Sequence, residues 1–253
     1  MVELVDTRDL KSREPCARAS SILALGTKFK RVCDACRKPF FSYVLKTIYI
    51  SDNMEKYQGV KFLHRQSKTT FSNDQRLQNL NHWAYLFSQL GLAPVHEGGA
   101  YGNHSYRTGK TSFVITKSAM IPGKILKSED YCHVVAFEEQ SATIIFEGMF
   151  PPSSESFLHL ALYQSLPHIN SILHGHCSPF NDHAEALNIS VTKKFYDYGT
   201  PELAQSALDL VDQTTLFFIL KDHGFVALGE DINSAGKLTL NYFSKLISLL
   251  SLD

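Results

Sequence analysis

After about residue 75 the chain exchanges two hydrophobic periods in a regular order, and that exchange limits what it can fold into. Leu77, Leu80, Ala84, Phe87 and Leu90 form a stripe at helical spacing over 76–90, and Gly91 is placed to end it as a C-cap. Residues 111–116 read as a short β-branched strand, and 132–137 and 142–146 as two more around a polar turn. Residues 154–166 read as a helix, with Ser153 or Ser154 to cap it and Pro167 to stop it. A strand over 169–177 follows. Pro201 then opens a helix that runs through Leu203, Ala207, Leu210 and Val211. Residues 214–220 are a continuous apolar strand, and 225–228 pair with it after the Asp222-His-Gly224 turn. An amphipathic helix over 233–250 closes the chain. This order predicts one layered α/β domain with a mixed sheet.

The first 53 residues keep neither period. They hold ten basic and six acidic residues, a net +4, and the rest of the chain carries −4. They have no basic n-region followed by an apolar h-region, so they do not read as a secretory signal. The stretch MVELVDTRDLKSREPCARAS resembles the conceptual translation of a tRNA gene fused to a reading frame. On that reading the start is Met54, residues 1–53 are a non-native extension or a disordered arm, and 54–253 are the domain. The alternative is a short basic accessory arm. Over the whole chain 25 basic residues balance 25 acidic ones. That balance lacks the footprint of a nucleic-acid binder or a polybasic membrane-surface protein. The longest near-apolar run, 216–220, is far too short to cross a bilayer. Cys16, Cys33, Cys36, Cys132 and Cys177 are odd in number and scattered, and read as reduced thiols of a cytoplasmic protein. The lone Cys33-Asp-Ala-Cys36 has no second pair and reads as neither a zinc knuckle nor a redox motif.

The histidines carry the chemistry. His174 and His176 flank Gly175 on an apolar strand, where residues i and i+2 share a face about 6.5–7 Å apart. Two imidazoles at that spacing can converge on one ion, with Gly175 turned away to leave space behind them. His223, at the end of the 214–220 strand, is a third candidate. Three protein ligands with an open position make a catalytic site, and imidazole suits zinc and other borderline divalent metals. The structural alternative is polar decoration of a strand and a turn residue before a glycine. Glu155 sits in the first helical turn, where the dipole favours a carboxylate; near a metal it could act as general acid or base. His159, one turn on, reads as a packing residue. The Gly-rich stretch 98–107 reads as a loop whose backbone N–H groups could bind an anion, with Thr116 and Ser118 adding hydroxyls after the next strand.

In combination these pieces resemble the class II aldolase/adducin family, in its zinc-dependent fuculose-phosphate aldolase and ribulose-phosphate 4-epimerase group. Five motifs match in order over about 76–245: Gly102-Asn-His-Ser-Tyr-Arg107, Phe113-Val-Ile-Thr-Lys-Ser-Ala119, Pro152-Ser-Ser-Glu155, His174-Gly-His176 and Asp222-His-Gly224. The resemblance implies a three-layer α/β/α single domain with a mixed, largely antiparallel central sheet. It implies His174, His176 and His223 as zinc ligands, another divalent metal being possible, and Glu155 as the catalytic acid/base. It also implies that Asn103, Thr116, Ser118, Ser153 and Ser154 hold the substrate phosphate. The implied activity is a metal-dependent, aldolase-type lyase of carbohydrate metabolism. Its substrate would be a small phosphorylated hydroxy-carbonyl compound, cleaved through a zinc-stabilised enediolate. The alternatives are an epimerase, dehydratase or decarboxylase of the same family, or a non-catalytic adducin-like interaction module. The family habit implies a cytoplasmic homotetramer. Two residues depart from the pattern: Lys117 stands for a proline and Ala119 for a glycine. Tyr196 and Tyr198 are candidates for an aldolase tyrosine. His104, Tyr106, Arg107, His183 and Lys221 are candidate pocket residues.

Overall fold

The structure is a computed structural model that describes residues 58–96 and 98–251. The expectations for residues 1–53, including the Met54 start and the Cys33–Cys36 pair, lie outside the described residues. In chain order the elements are β1 (Leu63–Lys68), α1 (Arg76–Leu90), β2 (Val95–His96), β3 (Gly99–Ala100), β4 (Gly102–Arg107), β5 (Phe113–Thr116), β6 (Tyr131–Glu138) and β7 (Thr143–Glu147). They continue with α2 (Ser156–Ser165), β8 (Ser171–Gly175), α3 (Ser178–Asp182), β9 (Ser190–Val191), α4 (Pro201–Leu208), β10 (Phe217–Leu220), β11 (Gly224–Gly229) and α5 (Ile232–Leu250).

Among the described residues, nine strands form one sheet in the order β1-β7-β6-β5-β4-β8-β11-β10-β9. Only the two edge pairings, β1 with β7 and β9 with β10, are parallel; every pairing between them is antiparallel. Alternation along the strands gives the sheet two apolar faces. On β10, Phe217 and Ile219 enter one core cluster while Phe218 and Leu220 enter the other. Phe225 and Ala227 of β11 join the first, and Val226 and Leu228 the second. Buried residues of α1 and α5 belong to the first cluster, and those of α2 and α4 to the second. The result is the expected three-layer α/β/α arrangement.

The Gly91 cap forms as expected, but neither Ser153 nor Ser154 caps α2: Glu155 holds its N-cap position, with no side-chain capping bond. Gly91 adopts φ 73° and its N–H reaches Phe87 O. The Thr200 side chain accepts from Leu203 N ahead of Pro201. Asp231 and Ser234 make a reciprocal capping box at α5.

The stretch 102–107 corrects the sequence reading: it is not a loop but strand β4, in the middle of the sheet between β5 and β8. Its Asn, His and Ser have low strand propensity, and tertiary pairing overrides it. Gly175 also corrects an expectation. A Cβ there would collide with the Leu92 carbonyl and lie 2.8 Å from the Phe225 ring, so close packing, not space, lies behind the histidines.

Candidate metal centre and active site

Asn103 and His174 are direct cross-strand partners on β4 and β8, so their side chains share a face of the sheet. That face carries Ile172, which belongs to the α2/α4 cluster, so helix α2 lies over it. Glu155 occupies the N-cap position of α2, but its side chain makes no capping hydrogen bond. The carboxylate turns instead to the histidines, with Oε1 2.8 Å from His223 Nε2 and Oε2 3.1 Å from His174 Nε2. His176 Nε2 lies 3.1 Å from His174 Nε2. One ligand atom from each of Glu155, His174, His176 and His223 falls within 4.8 Å of all the others.

The chemistry of this donor set fits a cation. His174 Nδ1 lies 2.7 Å from the Phe225 carbonyl, which can only accept. Nδ1 therefore carries a ring hydrogen, which leaves Nε2 as the atom that faces Glu155 and His176. A carboxylate and imidazole nitrogens gathered at these distances call for positive charge among them, which a ring proton or a bound cation supplies. Fixing a histidine tautomer through a backbone carbonyl is also how metal-ligating imidazoles are oriented. Burial, together with His223 and His174, holds the His176 ring well below its ordinary pKa, in the neutral form that ligates. Burial acts to raise the Glu155 pKa, but the charges and hydrogen bonds of His174 and His223 outweigh it and hold the carboxyl well below the usual range. Gly224 makes the convergence possible, since a Cβ there would lie 2.5 Å from Gly175 O and 2.9 Å from His174 Cε1.

A cleft opens beside this cluster, lined by 98–103, 117–120, Ser153, Ser154, Glu155, His176, Tyr198 and His223. Asn103, Ser118, Ser153 and Ser154 all line it. Thr116 does not line it: its hydroxyl accepts from His104 N at 3.3 Å, and its carbonyl accepts from Ser153 N at 3.0 Å. It braces the serine turn from behind. Lys117 reaches the cleft wall, yet its ammonium is paired with Asp130 at 2.8 Å and lies over the Phe150 ring. Ala119 takes φ 54°, a left-handed conformation that suits the glycine it replaces. Tyr198 lines the cleft and Tyr196 does not.

The sequence of the family described as Class II Aldolase and Adducin N-terminal domain matches residues 78–242. The chain belongs to that family. It is 33% identical over 151 residues to an L-fuculose phosphate aldolase of Methanococcus maripaludis, an alignment covering 54% of this chain and 77% of the relative. A Methanocaldococcus jannaschii protein of the same name is 30% identical over the same shares. Among solved structures, a sugar-phosphate aldolase from Thermotoga maritima superposes with a TM-score of 0.55 at 19% identity, covering 70% of this chain and 96% of that one. An L-fuculose 1-phosphate aldolase superposes with a TM-score of 0.54 at 21% identity, covering 72% and 87%. These two likenesses speak to the fold. Within the family, the chain is an aldolase-family enzyme.

Of the extra pocket candidates, His104, Tyr106, Arg107, His183 and Lys221 stand outside the cleft lining. Arg107 works at the other end of α2: its guanidinium donates to Tyr163 O, Leu166 O and Ile169 O. His159 is not a passive packing residue, because both its ring nitrogens are hydrogen-bonded, to Ser105 and to Asn103. Sequence reasoning quoted Ser105 within the 102–107 motif but gave it no role. The available signal was register: polar residues at i and i+2 on a strand, matched by Glu155, His159 and Tyr163 at helical i, i+4 and i+8.

Proposed function

We propose that this protein is a divalent-metal-dependent aldolase-type lyase acting on a small phosphorylated ketose. The observation that carries the reading is the convergence of Glu155 with His174, His176 and His223 at the head of a serine-lined cleft. His174, His176 and His223 would hold the metal, zinc being the ion that suits three imidazoles and an open position. Bound there, the metal would supply Lewis acidity at a substrate carbonyl. Ser118, Ser153 and Ser154, with Asn103 beside them, would receive the phosphate, while Thr116 holds the serine turn in place. Retro-aldol cleavage breaks a carbon–carbon bond and leaves its electron pair on the carbon beside the carbonyl. The hydroxyl on the departing carbon gives up its proton as the aldehyde forms, and Glu155, ionised at rest, would relay a proton to the carbon beside the carbonyl in cleavage and take it off in the reverse condensation. A buried carboxylate aimed by its neighbours suits that step better than a helix cap would. An adducin-like module would have no use for a buried carboxylate among three histidines. The reading includes a homo-oligomer. The exposed apolar side chains Ile121, Met149 and Phe150, in the loops beside the cleft, support it, and light scattering would measure its size.

The test is elemental mass spectrometry of the purified protein, wild type beside His174→Ala, followed by a cleavage assay with L-fuculose 1-phosphate and other phosphoketoses. About one zinc, manganese or cobalt per chain, lost in the variant, with aldehyde released only by the loaded wild type, is the expected result. Absence of bound metal after supplementation would overturn the reading.

A further inference from the structure

Behind Glu155 lies a row of polar side chains of which metal and phosphate binding would use only the first, Asn103. Asn103 Nδ2 lies 2.5 Å from Glu155 Oε2, and Asn103 Oδ1 lies 2.6 Å from His159 Nε2. His159 Nδ1 lies 2.7 Å from Ser105 Oγ, which lies 2.7 Å from Tyr163 Oη. All five residues are buried, and Ser105 and His159 are wholly inaccessible. Burying this many polar groups in a core that apolar residues could fill is costly unless each is satisfied, and a fully satisfied network rigidifies its members.

The hydrogens in this row can run only one way. A carboxylate accepts, so Asn103 turns its amide nitrogen to Glu155 and its carbonyl to His159. A carbonyl accepts, so the His159 hydrogen sits on Nε2. Burial pushes the His159 ring down to about 3 against the pull of Glu155, so it carries one hydrogen and Nδ1 is a lone pair. Ser105 must then donate to Nδ1, and its oxygen accepts from Tyr163. Every donor points toward Glu155. At its far end the row stops at Tyr163, which is 1% exposed and packs against Phe113 and under the Arg107 guanidinium. A proton has no exit to solvent there, so the row is not a proton wire.

We propose that Ser105, His159 and Tyr163 are positioning residues that lock the Asn103 amide and thereby hold the Glu155 carboxylate in its working orientation beside His174 and His223. The inference rests on the reading of Glu155 as the proton-moving group. It goes further by assigning His159 a fixed Nε2–H tautomer and three core residues a share in the site.

Two measurements test it on the intact protein. The first needs no activity: ¹⁵N NMR of histidine-labelled protein, which separates ring tautomers. His159 is expected as the neutral Nε2–H form across pH 6–8. Ser105→Ala should move its Nδ1 resonance, and His159→Leu should move the His174 and His223 ring signals, which touch Glu155. His159→Gln, whose amide can still donate to Asn103, should hold them near their wild-type places. The second is kinetics with L-fuculose 1-phosphate, or whichever phosphoketose the screen identifies. His159→Leu should lower kcat by about 10–100-fold with KM changed less than about threefold, and His159→Gln should recover most of it. An Nδ1–H or doubly protonated His159 in the wild type would overturn the proposal. So would a folded His159→Leu protein with unmoved ring signals or unchanged kcat. Should no phosphoketose be cleaved at all, the functional reading fails, and the NMR result still decides whether the row holds Glu155.

Discussion

Substituting Gly224 by alanine should loosen the proposed metal centre without replacing any of its ligands. The added Cβ would stand 2.5 Å from Gly175 O, 2.9 Å from His174 Cε1 and 3.0 Å from His176 Cδ2. Carbon atoms in contact settle at about 3.5–4.0 Å, so each ring must retreat by about half an ångström or more. The Gly175 carbonyl belongs to the β8 backbone opposite β11 and cannot swing away. Overpacking of this kind costs about 1–3 kcal/mol. In a domain of roughly 200 residues that lowers Tm by about 2–12 °C, taking about 2–4 °C per kcal/mol. Sites work within about 0.5 Å of their best geometry, so zinc affinity should fall about 10–100-fold. Calorimetry gives Tm, and competition with a chromogenic chelator gives the zinc affinity. Gly123→Ala is the control, because the Cβ there would meet only Ile125 O, at an ordinary 3.6 Å. A Gly224→Ala protein that matches wild type in both measurements would refute the claim that this glycine sets the approach of the two histidines.

Four further outcomes follow from particular contacts. Arg107→Ala removes three charge-assisted bonds, to Tyr163 O and Leu166 O at the end of α2 and to Ile169 O just beyond it, and should cost about 3–5 kcal/mol by urea unfolding, while Arg107→Lys, with its single ammonium, recovers only part. Burial pushes the Cys132 thiol up to about 12, so iodoacetamide should label it slowly in the native protein at pH 8 and quickly in urea, as read by peptide mass spectrometry. The Asp74 pKa is lowered, first by its hydrogen bonds to the Arg76 side chain, so the pair stabilises above the unfolded value of about 3.9 and the gain is lost as pH falls through the folded value. Asp74→Asn should therefore lose about 0.2–1 kcal/mol at pH 7, as expected of a half-exposed pair, and nothing once the wild-type carboxylate is protonated; Tm against pH checks it. A chain truncated to residues 54–253 should keep its solubility and metal content, and insoluble expression would reject the division at Met54.

The elements that periodicity can express were legible. Helix α1 spans Arg76–Leu90 as its stripe indicates, and β10 falls inside the continuous apolar run before His223. The three histidines and Glu155, which lie far apart in the sequence, meet as their motifs imply. Strand β4 was not legible, because Asn103, His104 and Ser105 carry no apolar alternation and a leading Gly102 reads as a turn. Strand β1 failed for a related reason. All six of its residues are exposed, so no buried face prints a pattern in LHRQSK. The Lys117 charge was visible in the sequence, but its partner Asp130 was not, since pairing depends on where the fold brings a distant carboxylate.

The same strand explains why the site can be rigid. A helix advances about 6 Å in four residues and a strand about 6.6–6.8 Å in two, so side chains at i, i+4, i+8 and at i, i+2, i+4 stay in step over a short run. Glu155, His159 and Tyr163 on α2 meet Asn103, Ser105 and Arg107 on β4 in that step. At the N-terminal end of α2 the match ends in a carboxylate among histidines. At the C-terminal end it ends in a guanidinium on the last carbonyls, where the helix dipole favours a cation. One strand thus braces the helix at both ends. A shift of β4 by one residue would turn Asn103, Ser105 and Arg107 to the opposite face together. Glu155 would then lose its amide partner in the same step as α2 loses its C-terminal anchor, so the register that orients the carboxylate is the register that the stability of the fold maintains.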